Sequence, residues 1–464
     1  MSETLVKLAQ YLPTAKDPEK EQSLKQMLTW TGIILLIYFF LSSVPIYGGE
    51  DQAVEQALQQ LQTFQTLVGA EIGTIVTLGI IPIVTSSIIL QMMVGSEILP
   101  WDTNSQEGKI KFQSTQKLLA YGLTFLMAIG YVVSGVFGNV LSNPPIAAFI
   151  TLQIALGGML IIMMDDVVKK WGFGSGVGLF IAGGVARQIF VALFSPLTAG
   201  GEPYWIVDGE PAGAIISFAQ SLEATALLPI ISTIAIFLLV VFLQNMRVEV
   251  PLTFGNVRGF GQKWPLKFLY TSVMPVIFVA ALIANFQIAG TAAAGQNGCA
   301  PILGCFSDGE ATSGLVALMQ PPTDVITNLA TAGLASVTSY DLFHALFYVT
   351  IYTGGAIMFS IFWARTSGQS SKNVAQQISE TGMKVPGFRK DTRVIEKVLD
   401  RYIPGLTVLS GATVGFIAAV ADLTRAAGGG MGILLTVMIL YRMYEQLAQK
   451  HMEELHPALK DFIK

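Results

Sequence analysis

From Thr74 to Gly95 the chain runs without one charged side chain, far enough to cross a bilayer as a helix. Nine other apolar stretches join it, and together they constrain the fold more than any motif. They lie at about 28–46, 115–137, 145–164, 176–194, 227–246, 266–289, 341–363, 405–424 and 430–447. Those at 115–137, 176–194 and 430–447 are the least clean. Only 12% of the 464 residues are charged and mean hydropathy is +0.59, whereas a soluble domain carries about 25% charge. No single soluble core hides that much apolar surface. The sequence therefore predicts an all-α polytopic membrane protein with ten transmembrane helices. The net charge of −4 gives no global attraction to nucleic acid. The amphipathic, charged N-terminal stretch does not read as a cleavable leader.

Basic residues set the orientation. The N-terminal tail, the loops after spans two, four, six and eight, and the C-terminus hold 25 of the 27 Lys and Arg. The alternate loops, 47–73, 138–144, 195–226 and 290–340, hold none. Both termini are thus expected on the cytoplasmic side of the cell membrane. Arg187, within span five, and Arg425, after span nine, are the exceptions. Five spans and then five more place the second half on the opposite face from the first, so an internal repeat must be inverted. The expected halves are 1–224 and 225–464. No convincing identity between them is read from the sequence.

The span interiors are poor in carboxylates and His, which proton- and ion-coupled carriers use. Asp165 and Asp166 fall at the cytoplasmic end of span four, Asp341 at the outer start of span eight, and His344 one turn further in. His344 reads as a packed or interfacial residue, and Arg187 as snorkelling or lining an aqueous cavity. No metal motif, phosphate-binding Gly loop or intramembrane nucleophile with its base is present. No catalytic residue, metal or cofactor is expected, so an intramembrane hydrolase is poorly supported. A secondary transporter remains the rival, because inverted halves and broken spans suit it too. Against it stand the missing carboxylates and two large basic loops, 247–267 and 364–404. Cys299 and Cys305 share one outer loop, where a disulfide and two free thiols are both open readings.

One stretch is odd. "TLGIIPIVTSS", Thr77–Ser87, places Gly79 and Pro82 near the middle of span two, among Ile80, Ile81, Ile83 and Val84. Irregular backbone at membrane depth is tolerated where it is buried in protein or lines a cavity. A packing kink and an aliphatic constriction that closes a pore by dewetting are both open here. Before it, "AVEQALQQLQTFQTLVGA" is helix-forming but too polar to span, as an interfacial amphipathic helix would be.

Five passages carry a resemblance: "TLGIIPIVTSSIILQMMVGS", "GFGSGVGLFIAGGVARQIF", "MRVEVPL", "GFRKDTRVIEKVLDRYIPGLTVLSG" and "GGGMGILLTVMILYRMYEQL". In order, from about Trp30 to Pro457, the chain resembles the SecY family, the α-subunits of the Sec translocon, and its archaeal branch most. The resemblance implies two inverted five-helix halves around an hourglass pore, and a passive protein-conducting channel. Such a channel translocates secretory polypeptides and releases membrane proteins sideways into lipid. Position by position, the family's pore ring falls on Ile80, Val84, Val177, Ile181, Ile277 and Leu435, all aliphatic here. A plug helix falls on about 57–68. The lateral gate lies between spans two and three and spans seven and eight. Its polar cluster maps to Thr85 and Asn285, with Met127 where some relatives have an acid, so the cluster is incomplete. Arg258, Arg389, Lys390 and Arg393, in the two basic loops, are the candidates for docking ribosomal RNA phosphates. A SecE-type γ-subunit, a small β-subunit, the ribosome, signal sequences, nascent chains and membrane lipid are the implied partners.

Overall fold

The computed structural model describes residues 8, 11–19, 22–47, 73–95, 98–101, 105–133, 137, 140, 143–198, 203–206, 211–221, 224–251, 253–254, 263–280, 282–283, 286, 299–300, 304–307, 310–322, 325, 329, 333, 338–380, 383–384 and 392–455. The chain forms two compact units, residues 1–187 with 439–464, and residues 188–438.

In the first unit, α1 (Leu24–Ser42) opens with a capping box, in which Ser23 and Gln26 exchange side-chain-to-backbone hydrogen bonds. There follow α2 (Ile81–Gly95), α3 (Gln106–Val133), α4 (Pro144–Trp171) and α5 (Gly176–Phe194). Prolines in the first turn of α4 sit where a missing N–H does no harm. Leu78, Ala128, Val132, Ile150, Ile154 and Ala155 build one core cluster. Lys169 and Lys170 end α4, where cations suit the helix dipole. The N-terminal tail is tied to that end: Lys170 Nζ donates to Ala15 O at 2.7 Å and pairs with Asp17 at 3.0 Å, and Trp171 Nε1 donates to Lys16 O at 2.7 Å.

The second unit starts with α6 (Ala214–Ser221), a 3-10 turn (Ala224–Leu227) and α7 (Leu228–Asn245). Strand β1 (Arg247–Pro251), β2 (Thr253–Phe254) and β3 (Lys263–Lys267) follow, and residues 274–280 are helical. A small three-stranded sheet contains β4 (Cys299–Ala300), β5 (Gly304–Ser307) and β6 (Glu310–Ala311). Cys299 faces Cys305 across it, and the two are disulfide-bonded. Then come α8 (Gly314–Leu318), α9 (Ser339–Thr366), α10 (Ser371–Glu380), β7 (Met383–Lys384), α11 (Thr392–Leu399), α12 (Ile403–Leu423) and α13 (Gly430–Leu455). Residues 430–438 of α13 belong to this unit and 439–455 to the first.

Lipid gives helices no hydrophobic reason to associate, so close packing and polar contacts must hold them. Helices α9 and α12 use both. "GATVG" on α12 lets the backbones approach: a Cβ on Gly411 would lie 2.8 Å from Ala356 O, and one on Gly415 2.6 Å from Ala356 Cβ. Beside this seam Ser360 Oγ lies 2.8 Å from Thr271 Oγ1 and donates to Thr407 O at 2.6 Å, while Ser410 Oγ is 3.2 Å from Thr271 Oγ1. Each such hydroxyl bond contributes about 0.6 kcal/mol.

Seven described helices are long and apolar enough to cross a membrane: α1, α3, α4, α5, α7, α9, and α12 taken together with residues from Thr392. Helix α2 is a shorter apolar helix. The expected span 176–194 coincides with α5. Two others start later than composition suggests. Helix α2 begins at Ile81 rather than 74, and the span expected from 266 is β3 and turns until the helix at 274. In both cases a proline near the start marks the true first turn.

Candidate functional site

The irregular half of span two is a buried run of turns that ends where α2 starts. Backbone bonds from Thr77 N to Thr74 O, Gly79 N to Val76 O and Ile81 N to Leu78 O close successive tight turns. Val84 N then reaches Ile80 O at 3.0 Å, the first helical bond. Gly79 adopts φ +48°, which a side chain resists, and Pro82 falls in the first turn, which tolerates it. Helix α4 makes room for the turns: a Cβ on Gly157 would lie 1.8 Å from Ile75 O. Leu78, Thr77 and Val76 are buried, and so is Ile80, while Val84 is half-buried. The irregular backbone thus satisfies the rule that it be sheltered by protein.

Span seven begins in the same way. Ser272 adopts φ +56°, Pro275 is the second helical residue, and Ile277 N reaches Val273 O at 3.3 Å. "GIIPIV" (79–84) and "SVMPVI" (272–277) therefore share one register: a left-handed residue, a proline three later, and a candidate ring residue, Val84 or Ile277, five later. This short internal repeat is not evident from sequence reading, because only Pro is identical within it. The common signal is the proline position together with the branched aliphatic residues around it.

Helices α5 and α13 carry the other candidates in an equally matched register. Each begins at a glycine, Gly176 or Gly430, and each places a candidate ring residue five positions on, Ile181 or Leu435. Ile181 and Leu435 are buried, and Val177 and Ile277 are half-buried. Ile80, Val84, Val177 and Ile181 belong to the first unit, Ile277 and Leu435 to the second.

A carboxylate serves each of these helix starts. Asp165 Oδ1 on α4 accepts from Val177 N at 3.0 Å, and Asp422 Oδ1 on α12 accepts from Gly430 N at 2.7 Å. Asp422 lies within the predicted span 405–424, yet sequence reading does not single it out. Its signal is a lone acid one turn before "AAGGG".

The gate and docking candidates are placed only in part. Thr85 is half-buried on α2, and Met127 on α3 packs on the core cluster containing Leu78. Asn285 and the candidate plug at 57–68 lie outside the described residues, as do Arg258, Arg389 and Lys390. Arg393 is exposed on α11, whose Ile395 and Leu399 are buried. They join a core with Val250, Leu266, Ala375 and Ile378, so the described parts of the two basic loops pack into one body. Val248 opposite Leu266 and Val250 opposite Trp264 set the hairpin register that builds it. Elsewhere, His344 Nε2 donates to Ala317 O at 2.9 Å and Gln320 O at 3.1 Å, which is a packed role. Arg187 is exposed. A cleft of about 660 Å³ in the first unit is lined by Lys117, Lys169 and Lys170. Each is paired with an acid, respectively Asp166, Asp165 and Asp17, so none of the described lysines lining the cleft brings an unpaired charge.

The SecY family model matches residues 74–444. The protein translocase subunit SecY of Methanothermobacter thermautotrophicus is 42% identical over 474 residues, covering 100% of this chain and 99% of its own. The chain belongs to the SecY family. A solved structure described as a protein-conducting channel is 40% identical, with a TM-score of 0.75 over 98% of this chain and 99% of that one. Sec61 in a canine ribosome–channel complex from the endoplasmic reticulum gives 40% identity and a TM-score of 0.72 over the same shares. The chain accordingly has the ten-helix SecY channel fold, spans the membrane many times, and is a channel subunit of a protein translocase.

Proposed function

We propose that this SecY-family subunit forms the pore of the Sec channel in the cytoplasmic membrane, with both termini cytoplasmic. Secretory polypeptides pass through it and membrane segments leave it sideways into lipid. Its halves, 1–224 and 225–464, are related by inversion and enclose an hourglass pore. Ile80, Val84, Val177, Ile181, Ile277 and Leu435 make the waist. The observation that carries this reading is the matched register: Val84 with Ile277, and Ile181 with Leu435, each at the same distance from an equivalent helix start. Two inverted halves that present aliphatic side chains at equivalent depths make a ring.

An aliphatic ring suits an unfolded chain of arbitrary sequence. It offers no fixed polar contacts to slow particular residues, and it provides no ligands to replace an ion's hydration shell. The plug, at about 57–68, closes the outer side of the idle pore. Thr85, Met127 and Asn285 flank the lateral gate, through which signal sequences reach lipid. Met127 brings no polar group, so the gate closes there by packing.

Transport involves no covalent chemistry, and the driving energy comes from a partner. Arg258, Arg389, Lys390 and Arg393, in the two basic loops, are the residues that meet ribosomal RNA phosphates; of these, Arg393 is exposed on α11. The ribosome-bound setting of the canine relative supports that partner. A SecE-type γ-subunit and a small β-subunit complete the channel.

Site-specific photocrosslinking tests the ring. A photoreactive residue is placed at Ile80, Ile277 or Leu435, with exposed Phe242 on α7 as control, and a ribosome-stalled secretory chain is presented. Crosslinks to the chain from the three ring sites and not from the control are expected. Docked ribosomes without ring crosslinks would remove these residues from the path.

A further inference from the structure

Helices α5 and α13 start alike in more than register. The residue before α13 is Gly429, which has no side chain to cap the helix, so the first N–H groups need an acceptor from elsewhere. Asp422 supplies it from the end of α12, as Asp165 does for α5 from within the last two turns of α4. A carboxylate at a helix N-terminus gains from both the hydrogen bond and the helix dipole. Each first residue is a glycine because the preceding helix lies too close for a side chain. A Cβ on Gly176 would be 2.6 Å from Asp165 Cα, and one on Gly430 would be 2.1 Å from Ala418 O. Each carboxylate has a second holder: Lys169 Nζ lies 2.5 Å from Asp165 Oδ2, and the Tyr348 hydroxyl donates to Asp422 Oδ2 at 2.9 Å.

We infer that Asp165 and Asp422 are paired positioning residues for the pore seal. Each pins the first turn of a ring-bearing helix to the helix before it, and so fixes the rotation and depth of Val177 and Ile181 in one half and Leu435 in the other. The inference rests on the ring proposed above. Neither carboxylate needs to touch the translocating chain. Val177 couples the two functions most directly, because its own N–H is the group that Asp165 holds.

Two readouts on the full-length channel, purified with its partner subunits, test this separately. The first is hydrogen exchange at 174–180 and 428–434. Asp165→Ala should speed exchange in the first segment and Asp422→Ala in the second, each by about tenfold, the loss of one helix cap. Asp→Asn keeps an oxygen acceptor and should stay within about twofold of the parent. If an alanine variant does not assemble, Asp→Glu displaces the carboxylate by one methylene and should also speed exchange. Unchanged exchange in these variants would overturn the inference. The second readout is ion conductance of the idle channel in a planar bilayer, with Ile277→Ser as a ring variant remote in sequence from both carboxylates. The expected result is a leak in both alanine variants and in Ile277→Ser, with the Asn variants sealed. A leak in Ile277→Ser alone would overturn the positioning role and leave the ring standing. Faster exchange with no leak in any variant would instead overturn the ring, and the positioning of a seal with it.

Discussion

The α4–α5 and α12–α13 junctions solve one problem with different partners. In each, a carboxylate near the end of one helix accepts an N–H at the start of the next. Asp165 gives its other oxygen to Lys169, whose side chain is 47% exposed. Asp422 gives its other oxygen to the hydroxyl of Tyr348, a residue of a third helix that is only 3% exposed. On the proposed orientation the first junction faces the cytoplasm, where lysine also serves topology. The second faces outward, where the loops hold no lysine and a phenol does the same work without charge. The difference has a mechanical consequence. Lys169 belongs to Asp165's own helix and ties nothing new, whereas Tyr348 binds α9 into the α12–α13 junction.

The glycines should give the largest effects and rank the two junctions. Gly430→Ala drives a methyl group into a backbone carbonyl at 2.1 Å, which cannot retreat without moving α12. Gly176→Ala meets Asp165 Cα at 2.6 Å and Oδ1 at 2.7 Å, so the capping carboxylate itself must shift. Both should destabilise at or above the upper end of the roughly 1–3 kcal/mol typical of overpacking, with Gly430→Ala the worse. Thermal unfolding of the purified channel in detergent measures the order. Equal stability of Gly430→Ala and the parent would mean that α13 does not start against α12 as described.

Much of this is legible in the sequence, and what is not has physical reasons. Charge-free length and the basic loops locate the spans, because lipid demands both. The whole of α5 can be read from residues 176–194 alone. Span seven is misplaced at its start because Leu266 and Phe268 are apolar for a different purpose: Leu266 lies in the core of the basic-loop body, and Phe268 packs against it. Composition runs span two through its turns because it does not distinguish a buried turn from a buried helix. Candidate ring positions come from resemblance, not from pattern, since an inverted repeat keeps register and spares few identities. Asp422 escapes notice because one acid near a span end looks like an ordinary boundary until its partners are visible. Arg258, Arg389 and Lys390 are chosen by charge, and only Arg393 among the docking candidates lies on a described element.

Tyr348→Phe should produce the middle effect. It removes the hydrogen bond to Asp422 Oδ2 but leaves Gly430 N on Oδ1. Losing a hydrogen bond to a charged group should destabilise by about 1.5–3 kcal/mol. Because no ion pair is removed, raising the salt concentration should leave the difference between variant and parent unchanged. A stability loss that disappears in high salt would assign the effect to long-range charge and not to the phenol contact.

Lys169→Met should produce the smallest effect and is the sharpest test of the comparison. The variant keeps a long apolar stem, and Asp165 keeps its bond from Val177 N. An ion pair with a half-exposed lysine contributes about 0–1 kcal/mol, because water and salt screen it. Whatever difference appears at low ionic strength should shrink as the Debye length falls from about 10 Å at 0.1 M to about 3 Å at 1 M. A loss as large as that of Tyr348→Phe, and equally indifferent to salt, would show that Asp165 depends on Lys169 as closely as Asp422 depends on Tyr348. The two junctions would then be alike in strength as well as in geometry, and the cytoplasmic one could no longer be regarded as the looser of the pair.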